Sequence, residues 1–532
     1  MKKYYLFYGL LLTLLLAACK KSDKFNTDYT IDPNTGVRGG NGSDPSISTF
    51  PPKLKNFKIN GVSCAFDSTS NSYYYPVASG TSIAGLAISF DTVSTKYLLM
   101  DNVQAKTGST IDYTLTTNET VAIKAMGIFN TSTDYKLIIT GLPVVILKTT
   151  AFTIGDDKVP ASLKLINPNY QTQSSKAEIA TNIKISLRGA TARNLPKKSY
   201  SVKLVDDAGA DTNIPLLGLR NDDGWILDAM YIDPSRMRNR LCTDIWNSFN
   251  NVPYIEDEPD ALNGTRGYLT EVFFNDQYQG VYCLTERLDR KQLKVKKQYG
   301  NMYKADNWSD EVNFSAITNP FSNDYADWGG GWQFAYPEIG DTPAPDWKYL
   351  YNIVNFVTSA SDKAFSSDIK NKVDINNLVD YFIFMNVLEA KDNQAKNTFF
   401  SFYDYRTAGS FFYSVWDLDG TMGRDYDGTP LSHEILGAGS NHLYQRLLSL
   451  NPANFKELLK SRWDNLKNNQ LSKSVVANRI EAYRKAMVST GAFSRERAIW
   501  LVVEPDLNAE ATYMTNWYSA QYDLFNTYIN NL

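Results

Sequence analysis

Between Asp374 and Gly423 the spacing of apolar positions changes period twice. In KVDINNLVDYFIFMNVLEAKDNQAKN, Ile375, Leu378, Val379, Phe382, Met385 and Asn386 fall near helical spacing behind Asp374, an N-cap residue type. Tyr381, Ile383, Phe384, Val387 and Leu388 fill the remaining faces, and a helix apolar nearly all round is a buried one. It runs into the polar loop Lys391-Asp392-Asn393-Gln394-Ala395-Lys396-Asn397. TFFSFYD then alternates as a strand, Tyr405 to Gly409 reads as a turn, and SFFYSVWD returns as a second strand ending at Asp417-Leu418-Asp419-Gly420.

Upstream, residues 20–48 are rich in Asp, Asn, Gly, Ser and Thr and read as a flexible tether. From about Phe50 to Thr140 short alternating runs are separated by turn residues, which predicts a small all-β sandwich similar to immunoglobulin-type modules, a spacer or a binder. Pro143 opens a new pattern: LPVVILKTT, ASLKLIN, and two strands around a basic loop with Arg188, Arg193, Lys197 and Lys198, with Lys203 in the second strand. By itself this is a solvated basic hairpin. GWILDAMYIDPSRMRNRLCTDIWNSF predicts a strand and an amphipathic helix begun at Asp233-Pro234. YLTEVFFNDQYQGVYCLTERLDR predicts a hairpin closed by Asn275 to Gly280 and ending in Thr285-Glu286-Arg287. The stretch from KVKKQYGNMYKADNWSDEVNF to Asp346 reads as an irregular insertion near a cleft, in which Trp328, Trp332 and Phe334 pack rather than contact substrate. Amphipathic helices follow Gly428.

Composition narrows the function classes. The 532 residues are 43% hydrophobic with net charge −3, which fits a multidomain globular chain and gives no basic excess for a nucleic-acid polymer. Only two histidines, His433 and His442, are present, which argues against His-rich metal sites and a Ser-His-Asp hydrolase; HEILGAGSNH lacks the zinc-helix spacing. Residues 1–19 read as a secretory signal ending in Leu16-Ala17-Ala18-Cys19, which resembles a bacterial lipobox with Cys19 as the lipidated residue. An exported protein held to the membrane by acyl chains is the expectation. Cys64, Cys242 and Cys283 remain, an odd number without a disulfide framework; Cys242 and Cys283 either pair or stay as buried thiols.

Phosphoryl transfer needs an Asp to orient the nucleophile, an Asn oxygen for one metal and a second Asp bridging metal to phosphates. Asp392 and Asn397 have the catalytic-loop spacing and Asp417 the place of the metal Asp, although no His-Arg precedes Asp392. Taken alone, Asp-x-x-x-x-Asn is also an ordinary polar turn.

Six ordered segments, LPVVILKT, RGATARNLPKKSYSVKL, WILDAMYIDPSRMRN, EVFFNDQYQGVYCLTERLD, KDNQAKNTFFSFYD and WDLDGTMG, make residues 142–532 similar to the CotH kinase family of spore-coat-H-like atypical kinases. The resemblance implies an α+β, two-lobed protein-kinase-like domain behind the immunoglobulin-like sandwich of residues 49–141. It further implies ATP, Mg²⁺ or Mn²⁺, and transfer to Ser or Thr of a secreted or surface protein. By resemblance Lys203 matches the strand lysine, Asp392 the catalytic Asp, Asn397 and Asp417 the metal ligands with Asp419 a second acidic candidate, and Thr285, Glu286 and Arg287 the segment beside adenine. Arg188 opens a phosphate loop whose Ala190-Thr191-Ala192-Arg193 departs from the family pattern, and the helix holding Asp244 offers no Glu as partner to Lys203. Because ATP is scarce outside the cytoplasm, nucleotidyl transfer on the same scaffold and a non-catalytic adhesion or assembly role stand as alternatives, with catalysis favoured. The expected location is the bacterial cell envelope, at the outer membrane or cell surface.

Overall fold

The computed structural model describes residues 51–127, 130–407, 410–500 and 506–532. The signal segment, Cys19 and the tether lie outside the described residues. The first alternating runs form two sheets. One has the spatial order β2 (Val62–Ser63), β1 (Lys58–Ile59), β5 (Ser82–Ser89), β8 (Ser109–Thr116). The other runs β3 (Ala65–Asp67), β4 (Ser72–Pro76), β10 (Ser132–Thr140), β9 (Thr120–Met126), β6 (Tyr97–Met100), β7 (Val103–Ala105). Period-two alternation sends Ile59, Leu86, Ile88 and Leu115 of the first sheet and Tyr73, Leu98, Val121, Ile123 and Leu137 of the second into one shared core. The face of Ala65 and Tyr74 packs on Val144, Ile166, Phe273 and Tyr278 of the next element, and the Ser63 backbone N–H donates to Glu178 at 2.7 Å.

After Gly141-Leu142-Pro143 the chain enters a closed barrel ordered β11 (Val144–Lys148), β12 (Val159–Ile166), β13 (Glu178–Leu187), β14 (Tyr200–Val205), β17 (Gly224–Asp228), β19 (Gln277–Glu286), β18 (Gly267–Phe274). A small ribbon, β15 (Ile214–Pro215) with β16 (Asn221–Asp222), lies between β14 and β17 in sequence. Leu147, Leu163, Ile185, Val202, Trp225, Val272 and Leu284 fill the barrel. The alternate residues Ser201, Lys203, Ile226, Asp228 and Thr285 therefore lie on the outer face, paired Ser201 to Ile226 and Ile226 to Thr285. The β18–β19 turn is tighter than the sequence suggests: only Asn275 and Asp276 form it, both at positive φ (47° and 60°), the twist a two-residue hairpin needs. Gly280 is thereby a strand residue, at φ +91°, where any side chain would collide with the Glu496 carboxylate.

The second half joins helices α1 (Arg238–Asn247), α2 (Lys348–Ser359), α3 (Asp362–Asp368), α4 (Ile375–Val387), α5 (His442–Leu450), α6 (Phe455–Asn468), α7 (Lys473–Val488), α8 (Ala492–Ile499) and α9 (Leu507–Asn530) to one sheet. That sheet is ordered β21 (Asp327–Trp328), β22 (Trp332–Tyr336), β20 (Asn301–Ala305), β23 (Thr398–Phe402), β24 (Phe411–Val415). Helix α4 is its centre. Asp374 caps it by accepting from the Asn377 N–H at 2.7 Å, and every residue from Asn377 to Val387 is buried, as the apolar pattern predicts. Asn377 is tolerable in this core because its carboxamide exchanges hydrogen bonds with the N–H and C=O of Tyr413 (2.7 and 3.0 Å).

Two expectations change and one open alternative is decided. Helix α1 begins at Arg238 rather than at Pro234, because Arg236 is left-handed (φ 56°) and Asp233 instead accepts from the N–H groups of Ser235, Met237 and Arg238. The predicted insertion contains β20, the middle strand of the second sheet, and its Trp328 and Trp332 are buried while Phe334 stacks on Trp347 at 3.8 Å. Cys242 and Cys283 do not pair: with Cys64 they are free and buried, and burial pushes the thiols of Cys242 and Cys283 up to about 12.

Candidate functional site

The polar loop leaves α4 through Glu389, which is left-handed (φ 48°), and makes one 3₁₀ turn over Lys391–Gln394. Asn393 anchors the loop from inside. Its amide donates to the carbonyls of Asn397 (2.7 Å) and Trp416 (2.8 Å), while its own carbonyl accepts from the Tyr381 hydroxyl (2.6 Å). These bonds bring the loop against the end of β24, so Asp392 and Asp417 come together although an entire hairpin separates them in sequence. Asn397, left-handed at φ 52°, donates its amide N–H to Asp392 Oδ2 at 3.1 Å, which leaves its carbonyl oxygen available. Lys396 also reaches Asp392, at 3.3 Å.

The acidic turn is the other wall. Asp417 is left-handed (φ 57°), a conformation that Asp and Asn tolerate better than other side chains, and it is exposed to the cleft. Surrounding protein raises its carboxyl above the usual range, with Asp228 and Asp392 adding to the rise; Arg188 and Lys304 pull against it. Asp419 is raised further by burial, then by Asp417, Asp228 and Asp233. Two neighbouring carboxyls that resist simultaneous ionisation form a site that gains from a cation. The available donors are Asp417, Asp419 and the Asn397 carbonyl, all hard oxygens, which suits Mg²⁺ or Mn²⁺. Among the described residues no group of three or more His, Cys, Asp or Glu is placed to hold a metal alone.

An open pocket adjoins these acids, lined on one side by Arg188, Ile226, Asp228 and Thr285 and on the other by Asn239, Trp416 and Asp417. Arg188 reaches it from the end of β13, its guanidinium 5.4 Å from the Trp416 ring centre. Thr285 lines the pocket, but strand alternation turns Glu286 inward, where it accepts from Arg266 (2.7 Å) and from the Arg220 backbone N–H (3.0 Å); it cannot face a ligand there. Arg287 is exposed, its stem lying over Gly224. Lys203 stands on the same barrel face, but its ammonium pairs with Asp211 (2.6 Å) and Asp223 (3.5 Å); the cations whose charge acts on Asp417 are Arg188, which lines the pocket with it, and Lys304, itself paired with Asp306 at 2.6 Å. Lys197 of the basic loop is not a phosphate contact either: it is buried on Glu496 (2.8 Å) in α8, beside Arg236.

Sequence reasoning missed Asp228, Asn239 and Lys304. The local signal for Lys304 is weak: NMYKA, between Gly300 and Asp306, is a short run without clean alternation. Behind the acidic turn, buried Arg238 donates to the carbonyls of Thr421 (3.0 Å) and Met422 (3.4 Å) and pairs with Asp233 and Glu510.

The family model described as CotH kinase protein matches residues 185–524. Inner spore coat protein H of Bacillus subtilis (strain 168) is 24% identical over 296 residues, covering 55% of this chain and 70% of that relative.

Proposed function

Because the chain belongs to the CotH kinase protein family, we propose that it is a kinase-like phosphotransferase that moves the γ-phosphoryl group of ATP to a Ser or Thr hydroxyl of a secreted or surface protein. The observation that carries the reading is the convergence of the Asp392–Asn397 loop and the Asp417–Asp419 turn on one cleft, opposed by Arg188 and Lys304. The barrel and the helical half then act as the two lobes of a kinase-like fold, with the sandwich as an immunoglobulin-like leading module. Adenine is assigned to the side of the pocket formed by Ile226 and Thr285, and the phosphates to the space between Arg188 and Lys304, with Lys203 at the mouth of the same barrel face.

Asp392 accepts the proton of the attacking hydroxyl, held in position by Asn397 and Lys396. Arg188 and Lys304 offset the negative charge that spreads over the phosphoryl oxygens in the transition state. Asp417, Asp419 and the Asn397 carbonyl are the residues that would hold Mg²⁺ or Mn²⁺, which would supply further charge neutralisation at the phosphates. Cys19 and the segment before it make the protein a lipid-anchored component of the cell envelope, and lipid labelling of the mature chain is the check.

The spore-coat name of the relative favours an assembly role as the second reading. Two variants separate them. Asp417→Asn should weaken metal-dependent nucleotide binding and transfer together. Asp392→Asn should keep nucleotide affinity and lower kcat by roughly 10²–10⁴-fold, the usual worth of general-base assistance. Full transfer by Asp392→Asn, measured with γ-labelled ATP, would sink the catalytic assignment; no transfer by the wild-type protein with any divalent cation would favour assembly.

A further inference from the structure

Asn239, the second residue of α1, uses both ends of its carboxamide. Its Nδ2 donates to Asp228 Oδ2 at 2.9 Å, and its Oδ1 accepts from the Leu418 backbone N–H at 3.1 Å. Asp228 is itself fixed at the end of β17, accepting from the Ser199 hydroxyl (3.3 Å) and the Met230 N–H (3.2 Å). Leu418 separates the two acids of the turn. One side chain therefore ties the barrel wall, the helix and the acidic turn together. Its neighbour Arg238 holds the same turn from behind, at the Thr421 and Met422 carbonyls.

We infer that Asn239 is a positioning residue that sets the acidic turn against the barrel wall, filling the strand-to-helix coupling that an ion pair supplies in protein kinases. Its effect on transfer rests on the phosphotransferase reading; the geometric claim does not. Only one orientation of the carboxamide satisfies both neighbours, because a carboxylate needs a donor and a backbone N–H needs an acceptor. Asparagine meets this demand. Leucine meets neither half, and aspartate keeps the acceptor for Leu418 while setting a second negative charge against Asp228.

The polarity can be reversed, which separates coupling from mere bulk. Asn239→Asp alone should raise amide exchange over 417–422 and raise the Mn²⁺ concentration needed for half-maximal transfer by about tenfold or more, the effect of losing a hydrogen bond to a charged group. The double exchange Asp228→Asn with Asn239→Asp re-forms a donor–carboxylate pair from the other side and should bring exchange at 417–422 back to within about threefold of the wild type. Hydrogen–deuterium exchange followed by mass spectrometry reads this without any activity. The inference is overturned if Asn239→Asp leaves exchange at 417–422 unchanged, or if the double variant exchanges as fast as the single one. If wild-type protein transfers no phosphoryl group while the exchange pattern behaves as stated, the phosphotransferase reading fails and the positioning role stands.

Discussion

Glu510→Gln should cost about 3–5 kcal/mol, the range for removing one partner of a buried ion pair. Glu510 sits in the first turn of α9 and is buried with two arginines on it. Arg238 donates to Oε1 at 2.6 Å, and Arg424 donates to Oε1 at 3.1 Å and to Oε2 at 2.6 Å. Glutamine keeps the volume but turns one acceptor into a donor facing a guanidinium. Arg238 retains Asp233 at 2.7 Å, so most of the penalty falls on Arg424, which among the described residues keeps the Gly428 carbonyl at 3.3 Å and the Tyr513 ring at 5.0 Å. Against a total stability of roughly 5–15 kcal/mol for a typical domain, the loss should be visible as a lower urea midpoint with an unchanged slope. Tyr513→Phe, which removes only the hydroxyl bond to the Gly423 carbonyl (2.6 Å), is the neutral comparison and should cost about 0.5–1.5 kcal/mol. Adding Arg424→Met to Glu510→Gln should recover part of the loss, because it withdraws the stranded charge. A loss below about 1 kcal/mol for Glu510→Gln, or no recovery in the double variant, would refute the reasoning that Arg424 is left as an unpaired buried charge.

Lys304→Met should lower kcat/KM for ATP by about tenfold or more, as loss of a charged contact to phosphate implies. Lys203→Met should do less: both lysines are ion-paired, Lys304 with Asp306 (2.6 Å) and Lys203 with Asp211 (2.6 Å) and Asp223 (3.5 Å), but of the two Lys304 is the one whose charge acts on Asp417; the reverse order in transfer assays would return the phosphate role to Lys203. Glu389 is buried, its Oε2 has no hydrogen-bond partner among the described residues, and burial raises its carboxyl from 4.5 to about 7. The native state thus holds a proton that the unfolded chain releases. Its contribution to stability is present below pH 4.5 and is lost as pH rises to about 7, by about 3 kcal/mol at most. Glu389→Gln should flatten that slope in urea titrations at pH 5 to 8; an unchanged slope would remove Glu389 as its source.

The sequence alone determined α4, its Asp374 cap, the hairpin after it and the two acid-bearing segments, because each rests on local spacing: a 3.6-residue or two-residue apolar period, or a capping side chain. The alternation of β14 and β17 likewise specified which side chains lie inside the barrel and which outside. Which of the cations meets the acids was not legible. Lys197, Lys203 and Arg188 are equally basic in sequence, yet one is buried on Glu496 of α8, one pairs with Asp211 and Asp223, and one reaches Asp417. Lys304 enters the site from a strand paired with β22 and β23, neither adjacent to it in sequence. Asn239 gained its meaning only when Asp228 and Leu418 arrived on its two sides. Local pattern decides what a segment becomes and which face it buries; which charges enter the site depends on contacts such as that of Lys197 with Glu496, far apart in the chain, and those come into being only when the barrel, the helices and the second sheet close on one another.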